Sequence, residues 1–115
     1  MKRLFLLFSV VVFLAGCAQE KIGNQFKAYQ GQSSQQIFNK AETALANGGY
    51  SQAVKDYEAL DAMYPFGSNA KQGLLDSIYA YYKNNQPVMA IANAERFQRL
   101  YPQSPYRDYA LYMQG

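Results

Sequence analysis

From residue 37 onward, apolar side chains recur at steps of three and four. Ile37, Phe38, Ala41, Ala44 and Leu45 form one helical stripe that Ser33 or Ser34 can cap and Gly48 and Gly49 end. A second stripe carries Tyr50, Ala53, Val54, Tyr57, Leu60 and Tyr64, and Pro65 stops it. A third runs from about Asn69 to Lys83 with Leu74, Leu75, Ile78, Tyr79, Tyr81 and Tyr82. The fourth opens at Pro87, a residue suited to a first helical turn, and carries Ala90, Ile91, Ala94, Phe97 and Tyr101 before Pro102. A fifth helix is predicted to start near Pro105 and to be still running at Gly115. The prediction is an all-α domain. The preceding stretch, residues 18–36, is dominated by Gln, Asn, Ser, Lys and Gly, too polar to form a core, and reads as a tether. Phe26 and Tyr29 are its only aromatics.

Two of the stripes repeat. Residues 47–65 read NGGYSQAVKDYEALDAMYP, and residues 84–102 read NNQPVMAIANAERFQRLYP. In one gap-free register Asn47 pairs with Asn84, Ala53 with Ala90, Glu58 with Glu95, Tyr64 with Tyr101 and Pro65 with Pro102. Val54 and Ile91, like Leu60 and Phe97, are apolar in both copies. The offset of 37 resembles that of tetratricopeptide repeats, slightly longer than their usual ~34 residues. The resemblance implies an α-solenoid of antiparallel helix pairs, in which Ala53, Tyr57, Pro65, Ala90, Phe97 and Pro102 set the packing. Ala53 and Ala90 would sit where the second helix of a pair crosses the first closely. Tyr57 fills a large position where the second copy has Ala94, which predicts compensation by nearby tyrosines. About three repeats are needed to bury such a face. The chain supplies two and begins a third, so the expectation is part of a longer protein, cut inside the fifth helix.

The start of the chain follows another logic. Lys2 and Arg3 precede an apolar run from Leu4 to Leu14, then Ala15, Gly16 and Cys17. This is the order of a secretory signal, and the run is too short for a transmembrane helix of about 20 residues. Leu14-Ala15-Gly16-Cys17 resembles a bacterial lipobox, and no second cysteine offers a disulfide partner. The resemblance implies S-diacylglycerol on Cys17, cleavage after Gly16 and an N-palmitoyl chain on the new amine. Ala18, rather than aspartate, then implies export to the outer membrane, facing the periplasm. The expected division is signal peptide 1–16, lipidated N-terminus and tether 17–32, and helical repeats 33–115.

Charge adds little. The formal +3 of the whole chain includes Lys2 and Arg3, and without them nine basic residues face eight acidic ones, so nothing points to nucleic acid. Histidine and tryptophan are missing, and there is no nucleophile motif, phosphate loop or metal-ligand cluster. Asp56, Glu58 and Asp61 are expected on the outward, solvated face of the second helix. The expectation is therefore a binding protein with no enzyme activity, cofactor or metal. Its unusual asset is 11 tyrosines, apolar rings with polar tips that suit half-wet grooves. Most are expected between helices and the rest along a concave peptide groove.

Several runs together are more specific than the repeat. Glu58-Ala59-Leu60-Asp61, Tyr64-Pro65-Phe66-Gly67, Leu75-Asp76, Ile78-Tyr79-Ala80-Tyr81-Tyr82-Lys83, Arg96-Phe97-Gln98-Arg99-Leu100, Asp108-Tyr109 and Tyr112-Met113 resemble the BamD (ComL-type) family of lipoproteins. That family serves outer-membrane β-barrel assembly, and the resemblance covers nearly all of residues 34–115. It implies five tandem repeats, of which this chain holds roughly the N-terminal half. It also implies three kinds of partner: unfolded outer-membrane proteins, BamA (mainly through repeats missing here) and accessory lipoproteins such as BamC. On the same resemblance Tyr64, Phe66 and Gly67, with Tyr79, Tyr81, Tyr82 and Lys83, are candidate groove residues. Another tetratricopeptide lipoprotein adaptor, such as a pilotin-like helper of secretin assembly, and an envelope enzyme with its catalytic part beyond Gly115 are the rival readings.

Overall fold

Ser33 starts the first helix with a capping box. Its hydroxyl accepts from the Gln36 N–H at 3.2 Å, while the Gln36 side chain accepts from the Ser33 N–H at 2.8 Å. In this computed structural model, which describes residues 25–114, five α-helices follow in order. They are α1 (Ser34–Ala46), α2 (Tyr50–Met63), α3 (Ala70–Lys83), α4 (Pro87–Leu100) and α5 (Arg107–Gln114). All five predicted helices are present, and no strand occurs among the described residues. The signal segment, Cys17 and the first part of the expected tether lie outside the described residues.

The chain divides into two units, residues 1–31 and 32–115. The described part of the first holds a short 3-10 turn, Lys27–Tyr29, with Tyr29 buried. The second unit holds all five helices.

Both turns inside the helix pairs have the same construction. After α1, Gly48 takes φ +77°, Gly49 N–H bonds to the Ala44 carbonyl at 2.8 Å, and Gly48 N–H bonds to Leu45 at 3.2 Å. After α3, Asn85 takes φ +61°, Gln86 N–H bonds to Tyr81 at 2.9 Å, and Asn85 N–H bonds to Tyr82 at 3.2 Å. These paired bonds close the last helical carbonyls as a Schellman motif, with asparagine standing where the first copy has glycine. The repeat is therefore in the backbone as well as in the sequence. The longer turns after α2 and α4 also match: Tyr64 and Tyr101 have nearly equal backbone angles, and each N–H bonds to the fourth residue before it.

Short turns make consecutive helices antiparallel neighbours, and each packs on the next as in a tetratricopeptide solenoid. Ala53, Val54, Tyr57, Leu74, Leu75, Ile78, Ala90, Ala94 and Phe97 share one core. Gly73 lets α3 approach α2, since a Cβ there would stand 2.6 Å from Leu60 Cδ2. Ala94 is fully buried in the same core as Phe97, whose ring lies 5.2 Å from that of Tyr101. Pro65 and Pro102 are exposed, so they end helices without packing between them. Val54 is buried, whereas its register partner Ile91 is exposed.

The acidic face predicted on the second helix is corrected. Asp56 is buried at 1% exposure and accepts from Gln52 Nε2 at 2.9 Å. Glu58 accepts from the Tyr81 hydroxyl at 2.7 Å, and Asp61 holds Arg96 through two bonds of 2.6 and 2.8 Å. Asp56 lines a cleft beside Asn39, Lys40, Thr43 and Ala44 of α1, whereas Glu58 and Asp61 are met by Tyr81 of α3 and Arg96 of α4.

Candidate functional site: an aromatic cleft on two parallel helices

The candidate groove residues separate in space. Residues 64–67 join α2 to α3, whereas Tyr79, Tyr82 and Lys83 lie near the other end of α3, about 20 Å away along a 14-residue helix. Antiparallel packing sends the two sets to opposite ends of the α2–α3 pair. They do not form a single groove.

Each set has its own environment. The Tyr64 hydroxyl donates to the Gln32 carbonyl at 2.5 Å, and Gly67 N–H bonds back to Tyr64 at 3.1 Å. Phe66, between them, is 99% exposed. Tyr81 is not a groove residue: only 3% exposed, it belongs to the core. Four residues before it on the same face, Ser77 is also buried, and the α2 side of that face supplies Glu58 for the Tyr81 hydroxyl. Burial, then the bond to Glu58, hold the Tyr81 hydroxyl well above the usual phenol range. Lys83 turns its ammonium to the Tyr50 ring, 5.6 Å from the centroid.

Tyr79 and Tyr82 do line a cleft, with three residues that sequence reasoning left out of the groove: Tyr109, Tyr112 and Met113 of α5. The cleft holds about 650 Å³. Its frame is two tyrosine pairs spaced three residues apart, one on α3 and one on α5. That spacing sets both rings of a pair on one helix face. The two helices run in the same direction, each antiparallel to α4 between them in the chain. The signal was available in Tyr109-x-x-Tyr112, which copies Tyr79-x-x-Tyr82, but it does not fall in the 37-residue register.

Carboxylates lie beside this cleft. Tyr57 donates its hydroxyl to Glu42 at 2.9 Å, and Gln72 donates to Asp76 at 2.9 Å. The Asp76 carboxyl is pushed up to about 7, first by burial, then by its hydrogen bond with Glu42 and the charge of Glu42, against the opposing bond from Gln72. Burial and the charge of Asp76 also raise Tyr109. A phenol that stays protonated beside a carboxyl can donate a hydrogen bond to a carbonyl entering the cleft. Among the described residues no group of three His, Cys, Asp or Glu is placed to hold a metal ion, and no helix is long and apolar enough to cross a membrane.

Comparison with known proteins places the chain in a family. The family YfiO, described as outer membrane lipoprotein, matches residues 30–115. The chain belongs to the YfiO outer membrane lipoprotein family. Relatives carry the name outer membrane protein assembly factor BamD. The one from Neisseria meningitidis serogroup A is 39% identical over 116 residues, covering 100% of this chain and 43% of the relative. That from Vibrio cholerae is 46% identical over 80 residues, 70% of this chain and 33% of the relative. That from Pasteurella multocida is 41% identical over 81 residues, 70% of this chain and 31% of the relative. The chain thus spans less than half the length of these relatives. Tyr79, Tyr82, Tyr109, Tyr112 and Met113 all lie within the matched residues 30–115.

Proposed function

We propose that this chain is a non-catalytic receiving scaffold for outer-membrane protein assembly. It works from the periplasmic face of the outer membrane, held there by N-palmitoyl and S-diacylglycerol groups on Cys17. The cleft of Tyr79, Tyr82, Tyr109, Tyr112 and Met113 takes an extended, aromatic-rich segment of an unfolded outer-membrane protein. Ring faces supply contact area, and hydroxyls bond to the segment's backbone. BamA and accessory lipoproteins such as BamC are the partner subunits this reading carries over from the family.

The observation that supports it is the pairing of four exposed or half-exposed tyrosines across two parallel helices. Together with the relatives' name, this favours binding over chemistry. The test is a titration with a peptide ending in a barrel-type aromatic strand. Tyr79→Ala with Tyr112→Ala should weaken binding by about tenfold or more, since aromatic anchors at a binding centre often contribute above 1 kcal/mol. Phe66→Ala, at the other end of α3, should leave it unchanged. Equal affinity for the double variant and the parent would remove the cleft from the mechanism. Loss with Phe66→Ala alone would move the site to the 64–67 turn.

A further inference from the structure

We propose that the end of the helical array where the chain enters α1 rests against an anionic phospholipid surface. Phe66 and Tyr106 are the interfacial aromatics, and Lys71, Arg99 and Arg107 are the headgroup contacts. The inference rests on reading Cys17 as the lipid attachment point, and goes beyond it by naming the face turned to the bilayer.

Antiparallel packing gathers at one end the start of α1, the turn from α2 to α3, and the turn from α4 to α5. Side chains tie these segments together. Tyr64 bonds to Gln32, and Asn69 Nδ2 lies 3.3 Å from both Ser34 Oγ and Gln35 Oε1. Lys71 Nζ lies 5.4 Å from the Tyr101 ring centre. The loop that carries Phe66 is thus pinned on both sides, yet it presents a phenylalanine that is almost completely bare. One exposed apolar residue is ordinary. Here the next turn at the same end adds Tyr106, also exposed, at the register position of Asn69. Aromatic side chains of this kind settle at the level of lipid headgroups. The opposite turns, residues 47–49 and 84–86, contain only Asn, Gly and Gln.

The charges fit the same face. Lys71, Arg99 and Arg107 are exposed, and the two arginines line a cleft of about 480 Å³ with Glu95, Gln98, Pro102 and Gln103. Asp61 is held by Arg96, and Glu95 is the one carboxylate among the residues that line the cleft with the two arginines. Basic side chains beside an anionic leaflet add attraction that salt weakens. The connection allows the same orientation. Fifteen residue steps separate Cys17 from Gln32, a reach of at most about 50 Å, and the chain enters α1 at this end. With the anchor on Cys17, the aromatic and basic side chains are what turn the Phe66 end to the bilayer.

The chain has no tryptophan, which makes a single indole a clean reporter. The full chain, made with its own leader, is prepared as Phe66→Trp and, for the opposite end, as Val88→Trp. Each is reconstituted into vesicles of phosphatidylethanolamine and phosphatidylglycerol with or without brominated acyl chains. Flotation and the mass of the Cys17 peptide report the lipid anchor separately. The indole at position 66 should shift to shorter wavelength and lose about half or more of its emission to the bromine, while that at 88 should not. Adding Lys71→Glu, Arg99→Glu and Arg107→Glu should reduce the quenching. An acylated, floating protein whose position 66 stays as unquenched as position 88 overturns the inference and spares the anchor. A chain that is unacylated, does not float and is not quenched overturns both. A shift produced by a polyglutamate peptide without vesicles, with no quenching by lipid, assigns the face to an acidic protein partner and overturns it too.

Discussion

Gly73 measures how closely the two repeats are fitted together. It lies inside α3, where alanine is favoured over glycine by about 1 kcal/mol on helix propensity alone. Its own backbone angle is unremarkable, so no turn requires glycine there. The obstacle is across the interface: an added Cβ would stand 2.6 Å from Leu60 Cδ2 and 3.9 Å from Tyr57 Cδ1. Carbon contacts relax at about 3.5–4.0 Å, so the Leu60 methyl must retreat by about 1 Å. Leu60 is 1% exposed and has no open side to move into. Overpacking of this kind costs about 1–3 kcal/mol. Set against the propensity gain, Gly73→Ala should destabilise by about 1 kcal/mol and lower Tm by about 4–8 °C. Urea unfolding followed by far-ultraviolet circular dichroism reads this directly. The cycle with Leu60→Ala makes the reasoning strict. Leu60→Ala alone should cost about 2–5 kcal/mol, and Gly73→Ala should become stabilising in that background because the space it needs has opened. If Gly73→Ala raises stability in the parent chain, or the two changes simply add, the close approach of α2 and α3 is not the reason for this glycine.

Three further outcomes follow from local geometry. Ser33→Ala removes the hydroxyl that accepts from the Gln36 N–H, while the bond from the Ser33 N–H to the Gln36 side chain remains, and should cost about 1 kcal/mol in urea unfolding. Asn85→Gly should raise stability by about 0.5 kcal/mol and Gly48→Ala should lower it by about 1, because both residues have positive φ and asparagine tolerates that region less well than glycine. The Asp76 carboxyl titrates near 7 in the folded chain, above its unfolded range, so the folded state binds the extra proton. That contribution is complete below about pH 4 and is lost as pH rises through 7, so Tm should fall between pH 5 and pH 8, and Asp76→Asn should flatten the slope.

The helices were legible because each carries its own signals: a periodic stripe and a Gly, Asn or Pro boundary. The 37-residue register was legible because Ala53 and Ala90, or Tyr64 and Tyr101, do the same job in each copy. The acidic residues of α2 were misread for a physical reason. Helical periodicity shows which residues share a face but not how many neighbours that face will meet. In a solenoid the middle helix is covered on more than one side, so Glu58 and Asp61 meet partners on α3 and α4, while Asp56 is buried with Gln52 one turn earlier on its own helix. Tyr81 failed in the same way. Spacing sets Tyr79 and Tyr82 on one face and Tyr81 on another, and the packing of α2 decides which of the two faces is buried. The cleft itself was half legible, because its second wall comes from α5.

Eight of the 11 tyrosines then fall into two populations with different work. In one, the hydroxyl fastens neighbouring segments: Tyr57 of α2 to Glu42 of α1, Tyr81 of α3 to Glu58 of α2, and Tyr64 to the Gln32 carbonyl ahead of α1. Leucine would fill the same volumes but would leave two carboxylates and a carbonyl without these bonds, and an unbonded buried acceptor is costly. In the other, Tyr79, Tyr82, Tyr109 and Tyr112 keep their rings at the surface. Tyr106 joins Phe66 at the opposite end. Thus one residue type stitches the repeats together, while the same chemistry on uncovered faces leaves two separated aromatic patches on opposite ends. The fasteners lie between the two patches, which share no side chain.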